Sequence, residues 1–252
     1  MSHWFDRISN FIHSRSSMGN HGAPGILTHT HMTLQEIITQ LESLADPEFL
    51  KGFSRYKIPD EVAYGIRLPH LRTIAKTCKK DHALALELWA YGKHETRLLA
   101  SMIADPKQCT KSEMNQWVTA IYSWDVCDQL CTNYWVHTDF WYEQAQSWVH
   151  REEEYVKRAG FVLLVTGLIK RKKEPDAVFR PCLKWLEEEA NDSRNFVQKA
   201  LNWLLRELGK RRPNLRPEVF ALAERLAASD QASTRWIGQN ALNEFRVKGL
   251  NE

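Results

Sequence analysis

After Thr33 the apolar residues recur with a helical period almost everywhere, and the helical segments come in pairs. Leu34, Ile37, Ile38, Leu41 and Leu44 mark one stripe; Val219, Phe220, Ala223, Leu226 and Ala227 mark another. Short polar or proline-marked joints separate pairs at 82–91/94–104, 112–122/125–137, 139–149/153–171, 175–190/194–211 and 217–228/232–246. The run from Phe161 to Val165 has the composition of a strand. It lies inside an unbroken stretch from Glu153 to Lys170, so one long buried helix is expected there. Pairs repeating at roughly 30–40 residues predict an all-α fold, a right-handed α-α superhelix built as a helical-pair solenoid. Eleven Gly and nine Pro in 252 residues are too few for a turn-dense β-sandwich or barrel.

The tryptophans sharpen this register. Trp89, Trp117, Trp148 and Trp185 each fall near the end of the first helix of a pair, and Leu226 takes that place in the last one. These four are expected to be repeat core. Trp124 opens a second helix and Trp203 lies midway along another, so neither obeys the register. Second helices of successive pairs line the concave face of a solenoid, where an aromatic or polar side chain need not serve packing.

Charge is uneven along the chain. Lys and Arg number 34 against 31 Asp and Glu, too near neutral to announce a nucleic-acid partner alone. Residues 33–150 carry 12 basic and 15 acidic side chains, whereas residues 151–216 carry 16 and 10. That asymmetry points to a one-sided anionic partner. The longest apolar stretch, Gly160 to Ile169, is far short of a bilayer span, so no membrane partner is expected.

Cys78, Cys109, Cys127, Cys131 and Cys182 form an odd set with no CxxC. Cys127 and Cys131 would share one helical face, but no His or carboxylate completes a zinc site around them. Free, buried thiols and a reducing, cytoplasmic setting are expected. Residues 1–32 hold five of the ten His and a Ser/Gly run. They are expected to form a disordered extension without the basic and apolar regions of a secretory signal. The domain, 33–252, starts at a T-x-x-E capping box, Thr33 to Glu36.

Four residues collect on the second helices: Trp124, Asp128, Arg158 and Trp203. Trp124 and Asp128 are four apart, so one face presents an indole beside a carboxylate. A guanidinium suits phosphate, and indoles suit sugar and base faces or a cationic ring. A carboxylate suits the positive charge that develops on a sugar as its glycosidic bond breaks. Glycosidases need a second acid to protonate the leaving group, but a base that is already cationic does not. Each residue also has a plainer reading. Asp near a helix start is often a cap, although Asp125 is better placed for that; Arg158 could pair with Glu154 at the surface; Trp203 could be core.

Further stretches carry a resemblance. Arg55-Tyr56, Tyr64-Gly-Ile-Arg-Leu-Pro69, Leu71-Arg-Thr-Ile-Ala75, Trp124-Asp-Val-Cys-Asp128, Val156-Lys-Arg-Ala159 and Phe196-Val-Gln-Lys-Ala-Leu-Asn-Trp-Leu-Leu-Arg-Glu207 resemble, in order and spacing, the DNA alkylation repair family of AlkD-like alkylpurine DNA glycosylases. The likeness runs from about residue 33 to about 246. It implies a HEAT/armadillo-like repeat fold and base excision of N3- and N7-alkylated purines from duplex DNA, leaving an abasic site. It implies no metal or other cofactor, and the expected protein is a monomer. By resemblance Asp128 is the catalytic carboxylate, Trp124 and Trp203 pack against the deoxyribose, Arg158 contacts phosphate, and Tyr56 is a further cleft residue. Two other readings stay open: a DNA-binding module without catalysis, preferring bent or branched DNA, and a protein-interaction scaffold.

Overall fold

Thr33 and Glu36 close the capping box: the Thr33 Oγ1 accepts from the Glu36 amide at 3.3 Å, and the Glu36 carboxylate accepts from the Thr33 amide at 2.8 Å. In the computed structural model residues 32–250 are described, so the extension expected at 1–32 lies almost wholly outside the described residues. From this cap runs α1 (Leu34–Ser43), which buries Ile37, Ile38 and Leu41 as its stripe requires. The short α2 (Pro47–Leu50) and a 3₁₀ turn, Phe53–Tyr56, follow; α3 is Leu68–Cys78.

The pairs then begin. Their first helices are α4 (His82–Tyr91), α6 (Lys111–Thr119), α8 (Trp141–Trp148), the two pieces α10 (Asp176–Phe179) and α11 (Pro181–Glu189), and α13 (Arg216–Ala227). Their second helices are α5 (His94–Ile103), α7 (Trp124–Asn133), α9 (Glu154–Lys170), α12 (Asn195–Arg211) and α14 (Ala232–Val247). Each second helix packs on the next, α5 on α7, α7 on α9, α9 on α12 and α12 on α14, which makes one continuous layer. No strand occurs among the described residues. The chain is a HEAT-like helical solenoid.

Two expected elements differ in detail. The helix expected over 175–190 is interrupted at Arg180, because Pro181 has no N–H to give to the preceding turn. The segment expected over 125–137 is helical only to Asn133; Tyr134 leaves helical geometry (φ −123°, ψ −71°), and Trp135–His137 is a 3₁₀ turn. The strand-like run at 161–165 is helical, and α9 buries every residue from Val156 to Ile169. A helix apolar on all sides is one surrounded by neighbours, here α7, α8 and α12.

The tryptophan register marks the core. Trp117, Trp148 and Trp185 are buried, as is Leu226 in the last pair. Trp89 is half-exposed; its ring stacks on Trp117 with centroids 4.3 Å apart, and the Arg97 guanidinium covers it at 4.7 Å. Gly160 allows α9 to approach the end of α8, since a Cβ there would sit 2.8 Å from the Val149 amide nitrogen. All five cysteines are free and buried.

Several cations of residues 151–216 are engaged within the protein rather than presented as an open field. Lys157 pairs with Glu189 (2.6 Å) and Asp192 (3.2 Å), while Arg206 and Lys210 both reach Glu244, at 2.6 and 2.8 Å. Arg171 donates to the carbonyls of Val136 (2.7 Å) and Thr138 (2.6 Å), and Arg212 to that of Glu174 (2.7 Å). These cations tie one repeat to the next. The sequence reads their sum but not their partners.

Candidate functional site

Asp128 lies one turn into α7, and Arg158 one turn into α9. Stacking of these helices brings the two side chains face to face. Arg158 Nε donates to Asp128 Oδ1 at 3.0 Å and Nη2 to Oδ2 at 2.9 Å, a two-pronged pairing of fork and carboxylate. Nη1 donates to the carbonyl of Phe196, in the first turn of α12, at 2.5 Å. Three successive second helices therefore meet at one guanidinium. Both side chains are buried, at 1% exposure each.

Burial raises the Asp128 carboxyl above the usual range, and the charge and hydrogen bonds of Arg158 work against that rise. Arg158 is desolvated as well, but the Asp128 carboxylate holds it above the ordinary arginine value and so cationic. A carboxylate that accepts two donors at 2.9–3.0 Å is ionised in this geometry. Removing either partner would leave the other charge buried and uncompensated.

Trp124, one turn before Asp128, opens α7 and is half-buried. Its ring lies 6.2 Å from that of Tyr56, tilted by 55°, and Tyr56 is 50% exposed. Lys57 follows in a left-handed conformation (φ 56°) and reaches across to α12, its Nζ 6.0 Å from the centre of the Phe196 ring. The Phe196 ring also stacks on Tyr155 (6.0 Å) and sits 6.0 Å from the Arg158 guanidinium. Residues 56–57 thus span from α7 to α12 beside the ion pair. Trp203 lies two turns after Phe196 and is buried, at 3% exposure.

The structure joins Asp128 to Arg158 and Trp124 to Tyr56. Arg158 does not pair with Glu154, and its fork faces Asp128 and Phe196 rather than solvent. Asp125 closes on the Val126 amide at 2.9 Å and also takes the Nε2 of buried His94 at 2.9 Å. Burial works to raise the Asp125 carboxyl, but the charge and hydrogen bond of His94 outweigh it and leave it lowered. Burial likewise opposes the charge on His94, and Asp125 outweighs that to raise it. Phe196 and Lys57 are site residues that sequence reasoning did not single out. Phe196 had a signal: it precedes Trp203 by seven, on the same helical face.

The segment carrying Tyr56 is held in place by a buried acid. Glu95, on α5, accepts from the amides of Tyr64 (2.9 Å), Gly65 (2.9 Å) and Ile66 (3.0 Å). Gly65 has φ +77°, and a Cβ there would collide with the carbonyl oxygen of Asp46. This explains the glycine in the Tyr64-Gly-Ile-Arg stretch.

A family model described as DNA alkylation repair enzyme matches residues 37–245, almost the whole helical array. The chain belongs to that family. Among its relatives is an uncharacterized protein of Listeria innocua, 23% identical over 65% of this chain and 74% of the relative. A similar protein of Listeria monocytogenes is 22% identical over the same shares. A solved structure superposes with a TM-score of 0.72 at 19% identity, covering 85% of this chain and 96% of the other. It is described as a new family of proteins related to the HEAT-like repeat DNA glycosylases with affinity for branched DNA structures. At that identity the likeness concerns the fold. No helix among the described residues of this DNA alkylation repair family member is long and apolar enough to cross a membrane.

Proposed function

We propose that this member of the DNA alkylation repair family is a monofunctional DNA N-glycosylase that hydrolyses the glycosidic bond of N3- or N7-alkylated purines in duplex DNA. The buried Asp128–Arg158 pair carries this reading, set one turn from Trp124, whose ring lies against Tyr56. Arg158 keeps Asp128 ionised in a poorly solvated place, where a carboxylate interacts strongly with developing positive charge. Asp128 stabilises the oxocarbenium-like sugar and orients the attacking water. Tyr56 and Trp124 offer aromatic faces to the deoxyribose.

The chemistry of the leaving group follows from what surrounds Asp128. Asp125, on the same helix, is held anionic by His94 and has no proton to give. Both ring nitrogens of His94 are engaged, with Asp125 at 2.9 Å and the Tyr122 hydroxyl at 3.3 Å. With Asp125 anionic and His94 engaged at both nitrogens, neither is placed to protonate a leaving base, which suits a base that departs without protonation, and N3- or N7-alkylated purines carry their positive charge already.

The second reading is a DNA-binding protein without catalysis, and the branched-DNA affinity described for the structural neighbour favours it. Incubation with methylated duplex DNA separates the two. The glycosylase reading expects free 3-methyladenine or 7-methylguanine and an abasic strand. Binding of the DNA with no base released from any alkylated duplex selects the second reading instead.

A further inference from the structure

The resemblance assigns Arg158 to phosphate, yet Asp128 and the Phe196 carbonyl occupy its fork, and it is buried. One other cation lies over the Phe196 ring, and a second follows that ring on the same face of α12. Lys57 places its Nζ 6.0 Å from the Phe196 centroid, coming from the segment that bears Tyr56. Lys199 lies one turn after Phe196 on α12 and is half-buried, close enough to Arg158 to feel its charge. Neither lysine has a carboxylate partner among the described residues. Nearby cations do: Lys157 has Glu189 and Asp192, Arg194 has Asp192, and Arg206 has Glu244.

We propose that Lys57 and Lys199 form an anion clamp across Phe196 that takes one phosphodiester of the DNA backbone. The clamp rests on the DNA-processing reading above and adds to it which side chains grip the strand. Lys199 is partly desolvated next to a like charge, and both effects lower its ammonium below the ordinary lysine range. A cation kept there without a counter-charge is stabilised by an arriving anion. A lysine presents a mobile point charge, which suits one phosphate oxygen rather than a planar fork. The two cations come from different elements, one on the 56–57 segment and one on α12. An anion bridging them would pull that segment toward α12, over the acid.

The test is the salt dependence of binding to an undamaged duplex. The slope of log K against log salt falls by about 0.9 for every phosphate that the protein ceases to neutralise. Lys57→Gln and Lys199→Gln are each expected to lower the slope by about 1. Lys199→Arg should restore it. Lys184→Gln, at a largely exposed residue of α11 paired with Glu188, should leave it unchanged. Equal slopes in the wild type and both clamp variants would overturn the clamp while leaving DNA binding intact. So would an equal fall in Lys184→Gln. Absence of salt-sensitive DNA binding in the wild type would instead overturn the DNA-processing reading. Thermal melting of each variant guards against loss of fold.

Discussion

Asp128 and Arg158 face each other through two parallel hydrogen bonds, 3.0 and 2.9 Å long, although 30 residues separate them in the chain. The pair bridges two repeats and is shielded from water. Its energetics and its chemistry can therefore be measured separately.

Removing one partner strands the other. Arg158→Ala and Asp128→Ala should each cost about 3–5 kcal/mol of stability, the usual penalty for an unpaired buried charge. The double variant should cost much less than their sum, because both charges leave together. Urea unfolding of the four proteins closes this cycle. Additive losses would mean that the two groups do not share an ion pair.

Asp128→Asn keeps an acceptor for Arg158 but removes the charge. Base release should fall by at least about 100-fold, a loss typical of removing a preorganised electrostatic group. Binding of the methylated duplex should stay within a few-fold. Because burial raises the Asp128 carboxyl, the acid limb of the pH–rate profile should lie above the ordinary aspartate value of about 3.9. Full activity in the variant would remove Asp128 from the reaction.

The His94–Asp125 pair adds a pH-dependent share of stability. His94 is raised in the folded protein, so its contribution is full below the unfolded value of about 6.5 and fades as pH climbs through the higher folded value. Asp125 is lowered, so its share is full above about 3.9 and fades as pH falls through the lower folded value. The difference in melting temperature between wild type and His94→Gln should be greatest near about pH 5–6 and shrink toward about pH 9. A gap that does not change with pH would show that the pair does not titrate.

Glu95→Ala should loosen the 53–66 segment without dismantling the repeats. Three backbone amides lose their acceptor, and each buried amide left unsatisfied costs about 1–3 kcal/mol. Amide exchange at Tyr64, Gly65 and Ile66 should rise well above that in α9. Uniform acceleration across the chain would instead place Glu95 at the heart of global stability.

The repeat is legible in the sequence because helical periodicity and the tryptophan register are local signals. Trp117, Trp148 and Trp185 are buried where their spacing puts them, and the pair boundaries differ by only a few residues. What the sequence hides is who pairs with whom across repeats. Arg158 reads equally well as a surface partner of Glu154, a phosphate ligand or a buried counter-ion, and only the stacking of α7, α9 and α12 decides its contacts. The surplus of cations after residue 151 is visible in a count, but the pairing of Lys157 with Glu189 and Asp192 and of Arg206 with Glu244 is not. Phe196 escapes notice because one aromatic near a helix start resembles any other core residue until Tyr155, Lys57 and Arg158 converge on it.

One guanidinium joined to a carboxylate on the helix before it and a carbonyl on the helix after it behaves as a mechanical gauge. Solenoids bend by small shifts between neighbouring repeats, and here a shift between α7, α9 and α12 acts on the bonds to Arg158. A change in the curvature of the array at these helices would therefore be felt at the hydrogen bonds that Asp128 receives.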